Sequence, residues 1–526
     1  MNELSDGPLV DTLRSIFVHV VPETVLVGTA CVQFLIGCMY NRRWLWAIVA
    51  VLGLLTSILV AGLQRPAVVT VAEAAPVYTD ALAGLSRWIA LLSGFILIGV
   101  SWPEVPSQRA AEYYGCLLTL IAGVSLVGRA NDLLTLFLAL ELVSIPTYVL
   151  LYSSRRTPAT QEAAIKYFLL SVGASAVLLF GFSYLYGAVG SLRLPVLVAA
   201  LTQLHMHTVM PLALLGAVLV LAALSFRLTV VPFHFYAPDV YEAGPTGVVA
   251  LLAVLPKVAG FLALGRIFGW FALHTGYLPF PTSTQFPLIV WILAVITMTL
   301  GNLVALRQDH FRRLLAYSSI AHSGYMLMAA IIASAWSDVT GSILSRPSLV
   351  SGMDALLFYL VTYAIMTFGA FAVLAYFDTP ERSVNAIDDL AGLGRSHPVM
   401  GLMLTILLLG LIGMPFTTGF VGKFLLFLGT LTAPAATPEQ GRLYQLLAVI
   451  AAINAAVAAV YYLRVIGVLY LREPLRPLPR TWAVFPALMA IVLAGATVIF
   501  GVYPQPLWRV IQTVAPLPPA PLQVTP

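Results

Sequence analysis

Apolar runs separated by short polar connections recur along the chain from Val20 almost to its end. A run of roughly 20 residues crosses about 30 Å of hydrocarbon as a helix. Runs of that kind lie near 20–39, 44–64, 82–101, 112–129, 132–152, 163–188, 208–239, 245–265, 285–306, 311–335, 354–377, 398–430, 441–471 and 481–503. The pattern predicts an all-α polytopic membrane protein with about fourteen transmembrane helices. The seventh and twelfth runs are too long for one crossing, and each is interrupted by proline, at Val231-Pro232-Phe233 and at Met414-Pro415-Phe416. Proline removes a backbone donor and clashes with the preceding turn, so it frees carbonyls that only a neighbouring helix or a wet cavity can satisfy. Two breaks five spans apart, each with a Pro-Phe pair, predict two repeats of five helices, 112–265 and 285–471. Residues 1–111 and 472–526 flank them within a single membrane domain, 1–526. Repeats of this kind in transporters are commonly inverted and place an ion site at the break, near the midplane.

Composition sharpens this reading. The chain is 60% hydrophobic and 9% charged, with a mean hydropathy of +0.95. Soluble domains carry about 25% charged residues, so a soluble enzyme is excluded. The net charge of +5 reflects loop topology and implies no nucleic-acid partner. With the N-terminus outside, fourteen Lys and Arg, Arg312 and Arg313 among them, fall in inner loops. Nine, including Arg87, Arg129 and Arg266, fall on the other side, which places both termini outside. The start MNELSDGPLV lacks a basic, cleavable signal pattern. The longest loops are SAWSDVTGSILSRPSLVSGMD outside and DTPERSVNAIDDLAGLGRSHP inside, and the tail PLPPAPLQVTP reads as extended or disordered. No appended soluble domain is evident. Cys31, Cys38 and Cys116 sit in apolar runs without a CxxC pair, which speaks against iron-sulfur, haem or zinc chemistry on this chain.

The charges inside the spans carry the chemistry. A charged residue at a helix centre costs about 2.5–3.5 kcal/mol on insertion scales, so it persists where something uses it. Glu141 stands in the middle of NDLLTLFLALELVSIPTYVLLY, and a carboxylate there needs a nearby cation to remain ionised. Arg227 and Lys257 are the candidates. Buried lysines are the ones that exchange protons, and Lys423, eight residues past the second break, matches Lys257 in the other half. His322, in YSSIAHSGYMLM, adds a group that ordinarily titrates near neutrality. Glu141, Arg227, Lys257, His322 and Lys423 make a row of the composition a proton relay needs.

Structural alternatives stand beside these readings. Glu141 and Arg227 could be a purely structural pair, the lysines could snorkel, and His322 could hydrogen-bond a neighbouring helix. His234 reads as a cap for freed backbone groups or a link in a water path, and Arg464 as an interface anchor. His205 and His207 are too few for a metal site. The segment Gly419-Phe-Val-Gly422-Lys423 resembles the end of a phosphate-binding loop, but Phe424 replaces the hydroxyl residue and the context is a span.

Six blocks in order carry a resemblance to a known family: NDLLTLFLALELVSIPTYVLLY, EAAIKYFLLSVGASAVLLFGFSYLYGAVGS, VPFHFYAPDVYEAGPTGVVALLAVLPKVAGF, FRRLLAYSSIAHSGYMLMA, GMPFTTGFVGKF and YYLRVIGVLYL. Over roughly residues 20–472 the chain resembles subunit N of the proton-pumping NADH:quinone oxidoreductase, respiratory complex I. The resemblance implies fourteen helices with an inverted repeat and one proton channel. It also implies a place in the inner membrane beside antiporter-like and small membrane subunits and below a peripheral arm. NADH, FMN, iron-sulfur clusters and quinone would be bound by those partners, with no cofactor on this chain. By position, Glu141 matches the family's fifth-helix glutamate, Lys257 its eighth-helix lysine and Lys423 its twelfth-helix lysine, and His322 falls in the tenth-helix block.

Arg227 is the departure, since the family pattern reads Phe-Lys-Leu where this chain has Phe226-Arg227-Leu228. Arginine keeps its proton at any ordinary pH and is no relay station. Either pumping begins at Lys257, or the subunit pumps poorly. Two rivals therefore stay open: a large subunit of an Mrp-type cation/proton antiporter, and a non-pumping scaffold of a membrane arm.

Overall fold

A computed structural model describes residues 8–64, 76–154, 157–203, 210–268, 285–335, 350–378, 384–433, 435, 438–474 and 483–514. His205, His207, the tail from 515, most of the outer loop (336–349) and part of the inner one (379–383) lie outside the described residues.

The apolar pattern becomes helix nearly run for run. In order they are α1 (Pro8–Ile36), α2 (Arg43–Leu63), α3 (Ala81–Ser101), α4 (Ala110–Val127), α5 (Leu133–Ser154), α6 (Pro158–Val189), α7 (Leu194–Gln203) and α8 (Met210–Arg227). Then follow α9 (Ala237–Ala243), α10 (Thr246–Ile267), α11 (Gln285–Ala305), α12 (Phe311–Ala335), α13 (Gly352–Phe377) and α14 (Leu393–Ser396). The last five are α15 (Pro398–Ile412), α16 (Thr418–Thr432), α17 (Pro438–Leu471), α18 (Val484–Val502) and α19 (Gln505–Gln512). Among the described residues twelve helices are long and apolar enough to cross a membrane. The two interrupted runs account for the rest, since the seventh divides into α8 and α9 and the twelfth into α15 and α16. Caps mark several starts: Asp80 Oδ1 accepts from Ala83 N at 2.9 Å, and Thr157 with Pro158 opens α6. The short helices α7, α14 and α19 were hidden from the hydropathy reading by their length.

Burial sorts the helices. Every residue of α10 is buried, and α12 and α13 are nearly so, because other helices enclose them on all sides. Leu59 of α2, Leu138 of α5, Leu169 of α6, Leu463 of α17 and Ile499 of α18 are exposed, as expected of a face whose solvent is lipid tails. Helices of this composition and burial make the chain a multi-pass membrane protein.

Four arginines counted as loop charges prove to be buried. At one end of the bundle Arg87 donates to Glu23 at 2.9 Å and to Gln64 at 2.7 Å, and Arg129 is 3% exposed beside them. Arg266 donates to Asp80 at 2.6 Å and to the Gly128 carbonyl. Burial pushes the Asp80 carboxyl up, but the Arg266 guanidinium, with the Ala83 amide and Arg129, more than offsets this, so the carboxyl titrates below its ordinary value. The pair therefore contributes its stability above the unfolded carboxyl pKa, near 4, and loses it only as pH falls through the lower folded value.

At the opposite end Arg312, the largest of the fully buried side chains, donates to Asp378 at 2.5 Å, to Thr246 Oγ1 at 2.7 Å, and to the carbonyls of Gly244 and Val384. Glu104 accepts from the first amides of α10, Thr246 N and Gly247 N, both at 2.8 Å. Asp378, which the sequence assigns to a loop, is thus the buried counter-charge that joins the starts of α10 and α12 to the end of α13. Removing one member of such a pair leaves the other charged, buried and unpaired. We expect Arg312→Ala to cost about 3–5 kcal/mol, read as a lower melting temperature and less assembled protein in detergent; wild-type melting would show the pair to be dispensable.

Candidate functional site

The first break is where α8 runs out. Thr229 has φ +57°, and the chain leaves helical geometry between Arg227 and Ala237. The freed backbone groups find side-chain partners: Tyr236 Oη donates to the Phe226 carbonyl at 2.9 Å, and Val231 N donates to Thr297 Oγ1 of α11 at 3.1 Å. The Leu228 carbonyl accepts from Thr229 Oγ1 and Ser323 Oγ, both at 2.6 Å, and from Lys257 Nζ at 3.3 Å. His234 hydrogen-bonds the Pro232 backbone at the break, while its Nδ1 has no hydrogen-bond partner among the described residues.

Arg227, the last residue of α8, turns its fork onto α5 and α6. Nη2 donates to Glu141 Oε1 at 3.1 Å and to Ser175 Oγ at 3.4 Å; Nη1 donates to the Leu140 carbonyl at 3.2 Å and to Ser144 Oγ. Ser175 Oγ donates to Glu141 Oε1 at 2.5 Å. The Glu141 side chain is 21% exposed while that of Arg227 is 4% exposed, so the pair is closed on the inside and open towards the α5–α6 surface. Of the two cations the sequence offers Glu141, the structure selects Arg227.

Lys257, in the middle of α10, is held differently. Its Nζ donates to Ser323 Oγ at 2.5 Å, Thr229 Oγ1 at 2.6 Å and the Ser319 carbonyl at 2.9 Å, besides Leu228. No carboxylate is among these partners, and the side chain is 1% exposed. Gly260 lies one turn on, against Leu228, where a Cβ would come within 2.7 Å of the leucine side chain; a methyl there would push the break away from Lys257.

The residues Ser319, His322 and Ser323 of α12 share one helical face. Ser319 Oγ accepts from Tyr363 Oη at 2.8 Å and pairs with Tyr241 Oη at 3.0 Å. His322 Nδ1 pairs with Tyr359 Oη at 2.7 Å, and the ring sits 5.1 Å from that of Tyr363. Beyond it lies the second break, where Gly413 (φ +87°) and Phe416 (φ +67°) carry the chain from α15 to α16. Lys423 Nζ reaches back to the last carbonyls of α15, Leu411 at 3.0 Å and Ile412 at 2.7 Å, and lies 5.1 Å from the centre of the Tyr325 ring. A cation at the C-terminal end of a helix is favoured by the dipole as well as by the free carbonyls.

Four of the five sequence candidates are buried: Arg227, Lys257, His322 and Lys423. Only Glu141 and Arg227 touch, and the two lysines and the histidine are separated by hydroxyls. Those hydroxyls, on Thr229, Ser319, Ser323, Tyr359 and Tyr363, escaped the sequence reading. The spacing of Ser319, His322 and Ser323 was the available signal, a polar stripe at helical period inside a span. Arg464 does not anchor at an interface alone, because it donates to Asp309 and to the Gln308 carbonyl. Among the described residues no three His, Cys, Asp or Glu come together as metal ligands. Chemically, the arrangement offers buried amines and an imidazole surrounded by groups that both donate and accept.

Comparison with known proteins gives the family. The family model described as NADH:quinone oxidoreductase/Mrp antiporter, transmembrane, matches residues 130–437. NADH-quinone oxidoreductase subunit N 2 of Rhizobium meliloti is 32% identical over 504 residues, covering 94% of this chain and 97% of its own. Subunit N of Trichlorobacter lovleyi is 36% identical over 424 residues, 80% of each chain. In a structure of Thermus thermophilus respiratory complex I with bound aureothin, one chain superimposes with a TM-score of 0.75 at 29% identity, covering 94% of this chain and 99% of that one. A chain of the Mrp complex from Dietzia sp. shares the fold, with a TM-score of 0.76 at 18% identity. By family match, relatives and fold, the chain belongs to the subunit N family of NADH:quinone oxidoreductase, the antiporter-like membrane subunits of respiratory complex I.

Proposed function

We propose that this subunit carries one proton path, running from the Glu141–Arg227 pair through Lys257 and the hydroxyl-lined face of α12 at His322 to Lys423. The observation that carries it is shared by the two lysines: each is buried, lacks a carboxylate partner, and is docked on carbonyls freed by a helix break. Lys257 is matched to both protonation states. As an ammonium it has acceptors for all three protons; as an amine it can accept from Ser323 or Thr229, whose hydroxyls rotate. Electron transfer from NADH to quinone belongs to partner subunits that hold the flavin, iron-sulfur clusters and quinone. Its effect reaches this chain as a change in electrostatics at Glu141, the member of the row that opens towards the α5–α6 surface.

Arg227 does not carry the proton. It pairs with the Glu141 carboxylate and places a fixed positive charge one residue from the carbonyl that holds Lys257. The fixed pair also favours a second reading, a scaffold that assembles but does not pump. An Mrp antiporter draws less support, because the relatives at 32% and 36% identity are subunits N and the Mrp chain shares the fold alone.

The location fits the cell inner membrane with both termini on the outer side. Setting aside the buried Arg312 on one side (14 − 1) and Arg87, Arg129 and Arg266 on the other (9 − 3) leaves thirteen Lys and Arg against six, a stronger bias than before. Two five-helix repeats, 112–265 and 285–471, fit the equivalent place of the two breaks and of the lysines against them.

Two substitutions test the path. Lys257→Ala is expected to lower the protons translocated per electron several-fold for this channel while the complex still assembles; an unchanged ratio in reconstituted vesicles removes Lys257 from the path and favours the scaffold. Arg227→Lys keeps a charge for Glu141 but loses the fork to Leu140 and Ser144. We expect pumping to be unchanged or improved and stability to fall by about 1–3 kcal/mol; a large loss of pumping would show that the guanidinium geometry is itself required.

A further inference from the structure

The row from Glu141 to Lys423 ends near the middle of the bundle, and none of its members leads to the outer face. Asp354 stands on that way out. The sequence reading leaves it at the end of a loop, but the structure places it in the first turn of α13, 7% exposed. Its Oδ1 is buried and has no hydrogen-bond partner among the described residues. Capping does not explain it. At the third position of a helix an acidic side chain ordinarily reaches back to the cap amide, whereas here Ser351 Oγ alone caps, accepting from Met353 N at 3.2 Å.

The surroundings place Asp354 beyond Lys423. Gly422, beside Lys423, packs on Tyr359 of α13, where a Cβ would lie 2.9 Å from the ring. Asp354 is five residues nearer the end of that helix, about 7.5 Å further out at 1.5 Å per residue. At this level α12 closes in through Ala329 and Ala333 against Gly352, α16 through Gly429 near Val350, and α19 through Trp508, 6.0 Å from Phe358. The outer turns of α12 (326–335) and α16 (424–432) carry no titratable side chain, and Arg509 of α19 is exposed. Arg266 of α10 and Arg87 of α3 face the same end but are engaged by Asp80 and Glu23.

We propose that Asp354 is a proton-carrying residue between Lys423 and the outer membrane face. The proposal rests on the reading of Lys423 as the last amine of the path. In the step, an N–H bond of the Lys423 ammonium breaks and the proton passes along transient water to the Asp354 carboxylate, where an O–H bond forms. The acid then gives its proton to outer water, so that neutral amine and carboxylate remain and one proton has crossed.

The test uses the assembled complex in proteoliposomes, with protons translocated per electron as the readout and Lys423→Ala in parallel. We expect Asp354→Asn to lower the ratio and Asp354→Glu to restore it, without the drop in melting temperature that a merely structural role would give. A wild-type ratio in Asp354→Asn overturns the proposal. If Lys423→Ala lowers the ratio in that experiment, the path itself survives; if Lys423→Ala is also without effect, the path fails too. Should the variants not assemble, a hydrophobic carbodiimide, which attacks protonated carboxyls, is applied to the wild-type complex at about pH 6–8. An adduct on Asp354 in the mass spectrum supports the proposal, and its absence overturns it.

Discussion

In lipid every backbone N–H and C=O must find a partner within the protein, and here two helix breaks meet that requirement with side chains in place of the next helical turn. The ends of α8 and α15 release carbonyls in the middle of the bundle, and the released groups are met by lysine amines and hydroxyls from neighbouring helices. The breaks and the buried charges therefore explain each other. At the second break Lys423 meets the carbonyls of Leu411 and Ile412, and at the first Lys257 shares the Leu228 carbonyl with Thr229 and Ser323. Both breaks also place a non-glycine residue in the left-handed region, Thr229 and Phe416, a conformation that costs about 1–3 kcal/mol and persists only when its surroundings impose it. At Thr229 the enclosed helices α10 and α12 supply that constraint through Lys257 and Ser323, and at Phe416 Gly501 of α18, packed on the Phe416–Thr417 backbone, supplies it.

The same logic orders the rest of the bundle. Buried ion pairs sit at its two ends, Glu23–Arg87 and Asp80–Arg266 at one and Arg312–Asp378 at the other, and fix the relative height of helices that lipid tails alone would let slide. Between them the centre carries amines and hydroxyls, and among the described residues no ion pair other than Glu141–Arg227 joins Glu141, Arg227, Lys257, His322 and Lys423. Rigid ends and a polarisable centre suit a subunit whose moving part is a proton.

Much of this is legible in the sequence because membrane helices write themselves in hydropathy. The run lengths give the helices, and Pro232 and Pro415 give the breaks within a few residues. Glu141, Lys257 and Lys423 stand out because charge is rare in lipid. What stays hidden is which charges face inward near the ends of helices. Arg312 and Asp378 lie beside polar loops, so a one-dimensional count assigns them to water, and only the docking of α10, α12 and α13 shows them to be paired. Asp354 escapes for the same reason. The hydroxyls escape because serine and tyrosine are ordinary in apolar helices until a neighbour such as Lys257 makes them acceptors.

Arg227 and Leu228 are consecutive, so the guanidinium that grips Glu141 and the carbonyl that holds Lys257 and Ser323 belong to adjoining residues where α8 ends. A fixed cation in place of an exchangeable one then need not interrupt communication. If the grip on Glu141 tightens or slackens, the pull is transmitted through the backbone to the acceptors around Lys257, and the signal changes currency from charge to position. The broken helix is thus a lever whose fulcrum is the turn at Thr229.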